Sequence, residues 1–246
     1  TAYVAIIVDL LQLHYESTIQ FHSIIGVMLG LFLVFRINTA YDRWWEGRKL
    51  WGKLVNDTRY LAIKINSILP ADRTADREFF TEMITNIAFA TKEHLRDSIL
   101  ISELSLPDEN LRNNVIASTH RPNKLADALF GRTHQLYKEH IIDGHQLYIL
   151  DKELKGFVDM IGGCERIKTT PIPFSFSMFI KKFLFIYSMT LPVSFAWQFG
   201  YWTTPIVILT FYFLVSVELI SEEIEDPFGE DINDLPLDEI CFKIKN

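Results

Sequence analysis

The sequence lacks positive charge over two long stretches. No Lys or Arg occurs in residues 1–35 or between Phe183 and Phe242, although the chain contains 24 such residues. Nearly all of them lie in residues 36–182. A soluble domain distributes its charged residues over its whole surface. This segregation therefore argues against an ordinary soluble protein.

Several functional motifs are absent as well. Cys164 and Cys241 lie far apart without a CxxC spacing, so we expect two reduced structural thiols. The net charge of -7 argues against nucleic acid as the main partner, because phosphate binding needs a clustered basic surface. There is no phosphate-binding glycine loop and no GxSxG motif. His134, His140 and His145 do not repeat the i, i+4 spacing of a helical metal site. We predict a non-enzyme that requires no cofactor.

Apolar residues concentrate in four segments, arranged as two pairs: residues 1–13, 19–35, 174–197 and 205–220. A bilayer-spanning helix needs about 20 apolar residues. The first segment has roughly half of that length, so we expect the chain to begin partway through a helix. Each of the others could span or partly span a bilayer. The alternative is that these segments are core helices of a soluble protein.

The charges of the connecting segments predict the orientation. Residues 14–18 and 198–202, which link the members of each pair, contain no Lys or Arg. By the positive-inside rule both links face outward, and the middle section and C-terminus are cytoplasmic. An outer aromatic belt is predicted at Trp197, Tyr201 and Trp202. Short outward links and no secretory cleavage pattern suggest a bacterial inner membrane, with a plant organelle as the alternative.

The middle section is predicted to be a bundle of helices. Apolar residues recur at helical spacing up to the break at Pro70, and further helical patterns follow, the last of them ending at Gly162 and Gly163. No alternating strand pattern is present. We therefore divide the chain into four parts. These are transmembrane helices 1 and 2 (1–40), a cytoplasmic helical bundle (41–170), transmembrane helices 3 and 4 (171–220) and an acidic cytoplasmic segment (221–246).

The second apolar segment carries the clearest functional pattern. Val27, Leu31 and Phe35 are spaced four apart and form one stripe on a helix. Gly26 and Gly30 form a small-xxx-small face that allows close helix contact. The segment continues without a break into a charged amphipathic sequence. Such a helix suits an ion conduit, whereas the alternative for the stripe is ordinary packing or lipid contact.

Four motifs resemble those of the bestrophin family, in particular its bacterial members. They are FRINTAYDRWWEGR at 35–48, GGCER at 162–166, TTPIPF at 169–174 and EEIEDPFG at 222–229, in the family's order. The resemblance implies an all-α integral membrane protein with four transmembrane helices in two pairs and a cytoplasmic helical bundle. It also implies a homopentamer around one axial pore, with a hydrophobic neck above a cytoplasmic vestibule.

The resemblance also assigns roles to individual residues. The neck positions of the family fall on Val27, Leu31 and Phe35, in agreement with the stripe. The lower constriction falls near His145, where a ring of five histidines could respond to pH. We favour the alternative that His145 is a surface or capping residue after Asp143.

The acidic C-terminal segment resembles the calcium clasp of animal bestrophins. The corresponding carboxylates here are Glu230, Asp231 and Asp234, which offer the oxygen ligands that calcium prefers. Ile232 and Asn233 interrupt the acidic block. We therefore favour the alternative, a solvated acidic tail that packs against basic helices, and expect calcium gating to be weak or absent.

The permeant ion is the least constrained prediction. Arg36, directly below the neck, would favour anions unless an acidic neighbour pairs with it, and Asp143 would favour cations. We predict a channel for small monovalent ions with chloride slightly favoured, and a sodium or potassium channel as the alternative. The expected partners are the lipid bilayer, the permeant ions and four further copies of the chain. A different class of function is a non-conducting membrane scaffold whose helical bundle binds another protein.

Overall fold

The computed structural model describes residues 3, 6, 7, 19–98, 104–106 and 108–245, and all regular structure in them is helical. This confirms the predicted all-α class. The helices are α1 (Ile19–Ile68), α2 (Thr74–Leu95), α3 (Glu109–Ala117), α4 (Arg121–Lys138), α5 (Gly144–Thr169), α6 (Phe174–Phe199), α7 (Thr203–Glu225) and α8 (Leu237–Lys245), with a 3-10 turn at Gly200–Trp202 between α6 and α7.

The chain folds into two compact units. Unit 1 comprises residues 1–44 and 171–226, and unit 2 comprises residues 45–170 and 227–246. Helix α1 is a single helix of 50 residues, so it supplies its first part to unit 1 and its second part to unit 2. The predicted continuity of the second apolar segment into the charged sequence is therefore confirmed.

Unit 1 is built from α1, α6 and α7 around a small apolar core. Leu29 and Leu33 of α1 are buried there against Ile180 and Leu184 of α6. Gln20–Ile68 and Phe174–Glu225 are long and apolar enough to cross a membrane, judged by length and composition. Their most apolar windows are only 22% and 17% buried, which is unlike the core helices of a soluble protein. The predicted segment at residues 1–13 lies almost entirely outside the described residues.

Unit 2 has a larger core, to which α1 contributes a buried stripe. Trp51, Leu54 and Leu61 are fully buried at helical spacing. Helix α1 ends at Ile68, just before the predicted break at Pro70, where the ring would remove a backbone hydrogen bond.

One predicted boundary in unit 2 is wrong. Helix α5 does not end at Gly162 and Gly163 but continues to Thr169. A Cβ at Gly163 would lie 2.9 Å from Cδ2 of Leu50, whereas a Cβ at Gly162 would meet nothing within 4 Å. Gly163 therefore serves the close packing of α5 on α1, and the pair of glycines does not mark a helix end.

Residues 227–246 of the acidic C-terminal segment form part of unit 2. Phe228 and Leu235 are buried, and the N–H of Leu235 donates to the carbonyl of Pro227 at 2.9 Å. The carboxylate of Asp238 accepts hydrogen bonds of 2.8 Å from Lys92 and from Arg96. Partial burial would raise the pKa of Asp238, but these two hydrogen bonds and the cationic charges outweigh it and lower the pKa below its usual value.

Candidate functional site

The predicted neck residues form an exposed stripe on α1 in unit 1. Val27, Leu31 and Phe35 are 74%, 54% and 55% exposed. Leu29 and Leu33, which face the core of unit 1, are buried on the same helix. Two residues correspond to about 200° of helical rotation. Among the residues that the structure describes, the stripe therefore points away from the core of unit 1, and it can face a neighbouring subunit, lipid or a pore.

The small-residue face beside the stripe makes one close contact. A Cβ at Gly26 would lie 2.7 Å from Oη of Tyr187 on α6, whereas a Cβ at Gly30 would meet nothing within 4 Å. His22 lies one turn before Gly26, and its imidazole makes hydrogen bonds with Thr190 and Ser194 of α6. Gly26 thus lets α1 approach α6 closely, whereas Gly30 makes no such approach to any residue that the structure describes.

Arg36 follows the stripe but is turned into the protein. The residue is 1% exposed. Its Nη1 lies 2.7 Å from Oε2 of Glu225, and its Nε lies 3.7 Å from Oε2 of Glu218. Both carboxylates come from α7. The acidic partners that the sequence left open are therefore present, and Arg36 offers no unpaired charge in this chain.

Glu225 connects three distant parts of the sequence. Besides its ion pair with Arg36, its Oε1 accepts a hydrogen bond of 2.7 Å from the N–H of Ile172. Its backbone carbonyl accepts from Nε of Arg43 at 3.0 Å. The carbonyls at the end of a helix have no partner within the helix, and Arg43 satisfies one of them. Three of the four sequence motifs thus meet at one carboxylate.

The whole chain matches a family that has these motifs. The sequence model of "Bacterial/Fungal Bestrophin protein" covers residues 1–246. The chain belongs to the bacterial and fungal bestrophin family. This confirms the resemblance inferred from the motifs.

Individual bestrophin relatives agree with this assignment. A voltage-dependent anion channel-forming protein of Nostoc sp. is 39% identical, over 89% of this chain and 73% of the relative. One of the same description from Escherichia coli K12 is 34% identical, over 94% of this chain and 75% of the relative. The crystal structure of a mutant bestrophin homolog from Klebsiella pneumoniae superposes with a TM-score of 0.93 at 28% identity, over 99% of this chain and 92% of that one. Membership in this family identifies the chain as an integral membrane protein.

A charged residue of this bestrophin that the sequence analysis did not single out is Glu218. It lies within the apolar segment 205–220, is buried, and faces Arg36. An ionisable residue inside a membrane helix is costly and marks a functional or structural partner. That signal alone could have identified Glu218. Another acidic residue of α7, Glu222, pairs with Lys181 of α6 at 2.7 Å on the surface.

The predicted lower-constriction residue His145 and the predicted selectivity residue Asp143 lie at the start of helix α5. Asp143 is the N-cap of this helix and accepts a hydrogen bond of 2.8 Å from the N–H of Gln146. The amide of Gln146 bonds back to the N–H of Asp143, which completes a capping box. His145 lies in the first turn and is exposed. Asp143 therefore has a local structural role, and His145 is accessible on the surface of the chain.

The three calcium candidates lie in the loop before α8. The N–H of Asp231 donates to Oδ2 of Asp234 at 2.8 Å, and Glu230 lies 3.8 Å from Nη1 of Arg96. In the part of the chain that the structure describes, these carboxylates do not gather into a group of three ligands around one point. The prediction of weak or absent calcium gating stays a prediction.

Proposed function

We propose that this bestrophin assembles as a homopentamer and conducts small monovalent anions, with chloride as the main permeant ion, through a neck lined by Val27, Leu31 and Phe35. The observation that carries the proposal is the stripe on α1, whose three side chains are each more than half exposed. The family and the anion-channel descriptions of its relatives support it.

A ring of apolar side chains in such a neck acts through dewetting. Water leaves a narrow apolar constriction, and an ion must then cross it with an incomplete hydration shell. Shortening a side chain in the ring widens the constriction and makes it easier to wet. The neck therefore sets the conductance more than the choice of ion.

The neck is tested by replacing Leu31 with Ala. We expect a larger single-channel conductance in a planar bilayer, because a wider apolar ring holds water more readily. Leu209→Ala is the matched control, because Leu209 on α7 is 57% exposed, close to the 54% of Leu31, but lies outside the stripe. Equal conductance of the two variants and the wild type would remove Leu31 from the ion path.

The ion is tested by the reversal potential of the purified protein under a KCl gradient. A value near the chloride equilibrium potential supports the proposal. One observation favours the alternative, a sodium or potassium channel: the positive charge of Arg36 is paired with Glu218 and Glu225, so it does not form a cationic ring below the neck. A value near the potassium equilibrium potential would establish that alternative.

The proposed topology has four transmembrane helices in the bacterial inner membrane, with the middle section and the C-terminus cytoplasmic. The absence of Lys and Arg from residues 198–202 supports an outward link, as do the exposed aromatic residues Trp197, Tyr201 and Trp202. Labelling of a cysteine introduced at Tyr201 by an impermeant maleimide in intact cells tests this. Labelling only after the cells are broken would reverse the topology.

Further parts of the proposal concern regulation and assembly. His145 is proposed to lie near the lower constriction, and channel opening is proposed to need no calcium at Glu230, Asp231 or Asp234. Currents that persist in a calcium chelator would support the second statement, and their loss would contradict it. If well-folded, full-length protein carries no current at all, the non-conducting scaffold becomes the better function.

A further inference from the structure

Three side chains from separate helices of unit 2 converge on one point. His94 lies in the last turn of α2, His120 is the N-cap of α4, and Glu165 lies near the end of α5. Oε1 of Glu165 is 2.7 Å from Nε2 of His94 and 2.5 Å from Nε2 of His120. The two imidazole rings are 4.6 Å apart between centroids and tilted by 30°. No sequence spacing could have joined them.

The geometry of this His94–His120–Glu165 cluster is that of a ligand set. One potential ligand atom from each residue lies within 4.8 Å of those of the other two. The three side chains are each 30% exposed, so an ion can reach them from solvent without unfolding the bundle. Two imidazole nitrogens and one carboxylate oxygen form a set that Zn²⁺ binds in proteins, with a fourth position open to water.

Two of the three distances between the ligand atoms need only small adjustment to hold zinc. Ligands at about 2.0–2.2 Å from a tetrahedral ion lie roughly 3.4 Å from one another. The two histidine–Glu165 distances would open by less than about 1 Å, which side-chain rotation supplies. The same rotation removes the direct hydrogen bonds to Oε1, since each Nε2 must present a lone pair to the metal.

The remaining ring nitrogen of His120 shows what metal binding would cost. Its Nδ1 accepts a hydrogen bond of 3.3 Å from the N–H of Asn123, as an N-cap. Zinc at Nε2 requires a proton on Nδ1, so this bond would be lost. Because the bond is long and exposed, its loss is a small penalty.

We propose that His94, His120 and Glu165 bind Zn²⁺ and thereby fasten the end of α2, the start of α4 and the end of α5 to one another. The site lies within unit 2 and uses none of the proposed neck residues. The proposal does not depend on which ion the channel conducts.

The test measures zinc binding by the full chain in detergent, after removal of metal by a chelator. Competition with a chromophoric zinc chelator should give one Zn²⁺ per chain. Glu165→Gln and His94→Gln should each weaken binding by more than about 10-fold, because even changes to residues that only support a ligand cost about 10–100-fold. His134→Gln is the control, since His134 is exposed on α4, lies outside the cluster and bonds to a carbonyl of its own helix.

Binding at one site should also raise the unfolding temperature of the wild type when zinc is added, because an ion that binds only the folded state stabilises it. The two ligand variants should lose this rise, and His134→Gln should keep it. Absence of stoichiometric binding, or unchanged affinity in Glu165→Gln, would overturn the proposal.

X-ray absorption of the zinc-loaded wild type makes the test independent of variant folding. The spectrum should show two imidazole nitrogens and oxygen around the metal. Sulfur ligands, or oxygen alone, would place the zinc elsewhere and refute the assignment to this cluster.

Discussion

Replacing Arg36 with Met tests the buried charge group of unit 1. Met keeps the apolar part of the arginine side chain but has no charge, so the substitution leaves the buried carboxylate of Glu218 and the partly buried carboxylate of Glu225 without their cation. Removing one partner of a buried ion pair costs about 3–5 kcal/mol, because an uncompensated charge stays in a low-dielectric environment. Arg36 is 1% exposed and lies 2.7 Å from Glu225, so we expect the full penalty.

For a chain of this size, 1 kcal/mol shifts the unfolding temperature by about 2–4 °C. Arg36→Met should therefore unfold roughly 6–20 °C below the wild type. Intrinsic fluorescence during heating in detergent measures this, because Trp44 of unit 1 is partly buried and stacks on Tyr41, so its emission reports the unfolding of that unit. Adding Glu218→Gln to the variant should recover part of the loss, since one of the two unpaired charges is then removed.

Arg48→Met is the matched control on the same helix, since Arg48 is exposed. Surface substitutions of this kind change stability by about 0.5 kcal/mol or less. If Arg36→Met unfolds within about 2 °C of the wild type, the ion pair contributes little and the reasoning from burial is refuted.

Three further results are expected. Gly26→Ala should destabilise unit 1 by about 1–3 kcal/mol, because the added methyl group pushes the Tyr187 hydroxyl aside. Gly30→Ala should change stability little. Equal unfolding temperatures of the two variants would contradict this. Burial, with the nearby acidic charges, raises the pKa of the Cys164 thiol to about 12. N-ethylmaleimide at pH 8 should therefore label Cys164 only after the protein is unfolded, as measured by mass spectrometry. Rapid labelling of the folded protein would contradict this. The pKa of Asp238 in the folded protein is lowered from 3.8, so the ionised carboxylate contributes its full stability above pH 3.8 and loses it as the pH falls through the folded-state pKa. The difference in unfolding temperature between the wild type and Asp238→Asn should therefore close below about pH 4. A difference that stays constant with pH would disprove the linkage.

Local patterns predicted the helices well, since helical periodicity and proline act over a few residues. The continuity of α1 and its end before Pro70 follow from such signals. The glycine pair at 162–163 led to a wrong helix end, because a glycine can either end a helix or permit close packing. The residue that decides between these roles, Leu50, lies more than a hundred positions earlier in the chain. Only the tertiary structure distinguishes the two roles.

In the candidate sites too, features within one helix could be predicted from the sequence, and features formed by several helices could not. The exposed stripe of Val27, Leu31 and Phe35 could be predicted because all three residues lie on one helix. The His94–His120–Glu165 cluster could not, because its members come from three helices and no spacing relates them. The convergence of three motifs on Glu225 was equally hidden, although each motif was recognisable by itself.

The effect of Arg36 on permeating ions depends on the acidic residues that pair with it, and not only on its position below the proposed neck. One Arg36 faces Glu218 and Glu225, so the group carries no net positive charge when all three are ionised. Glu218→Gln removes one negative charge with little change of shape. Because Glu218 is buried, we expect the reversal potential under a KCl gradient to remain at the wild-type value. A reversal potential different from that of the wild type would mean that ions sense this carboxylate, and that α7 contributes to selection in the assembled channel.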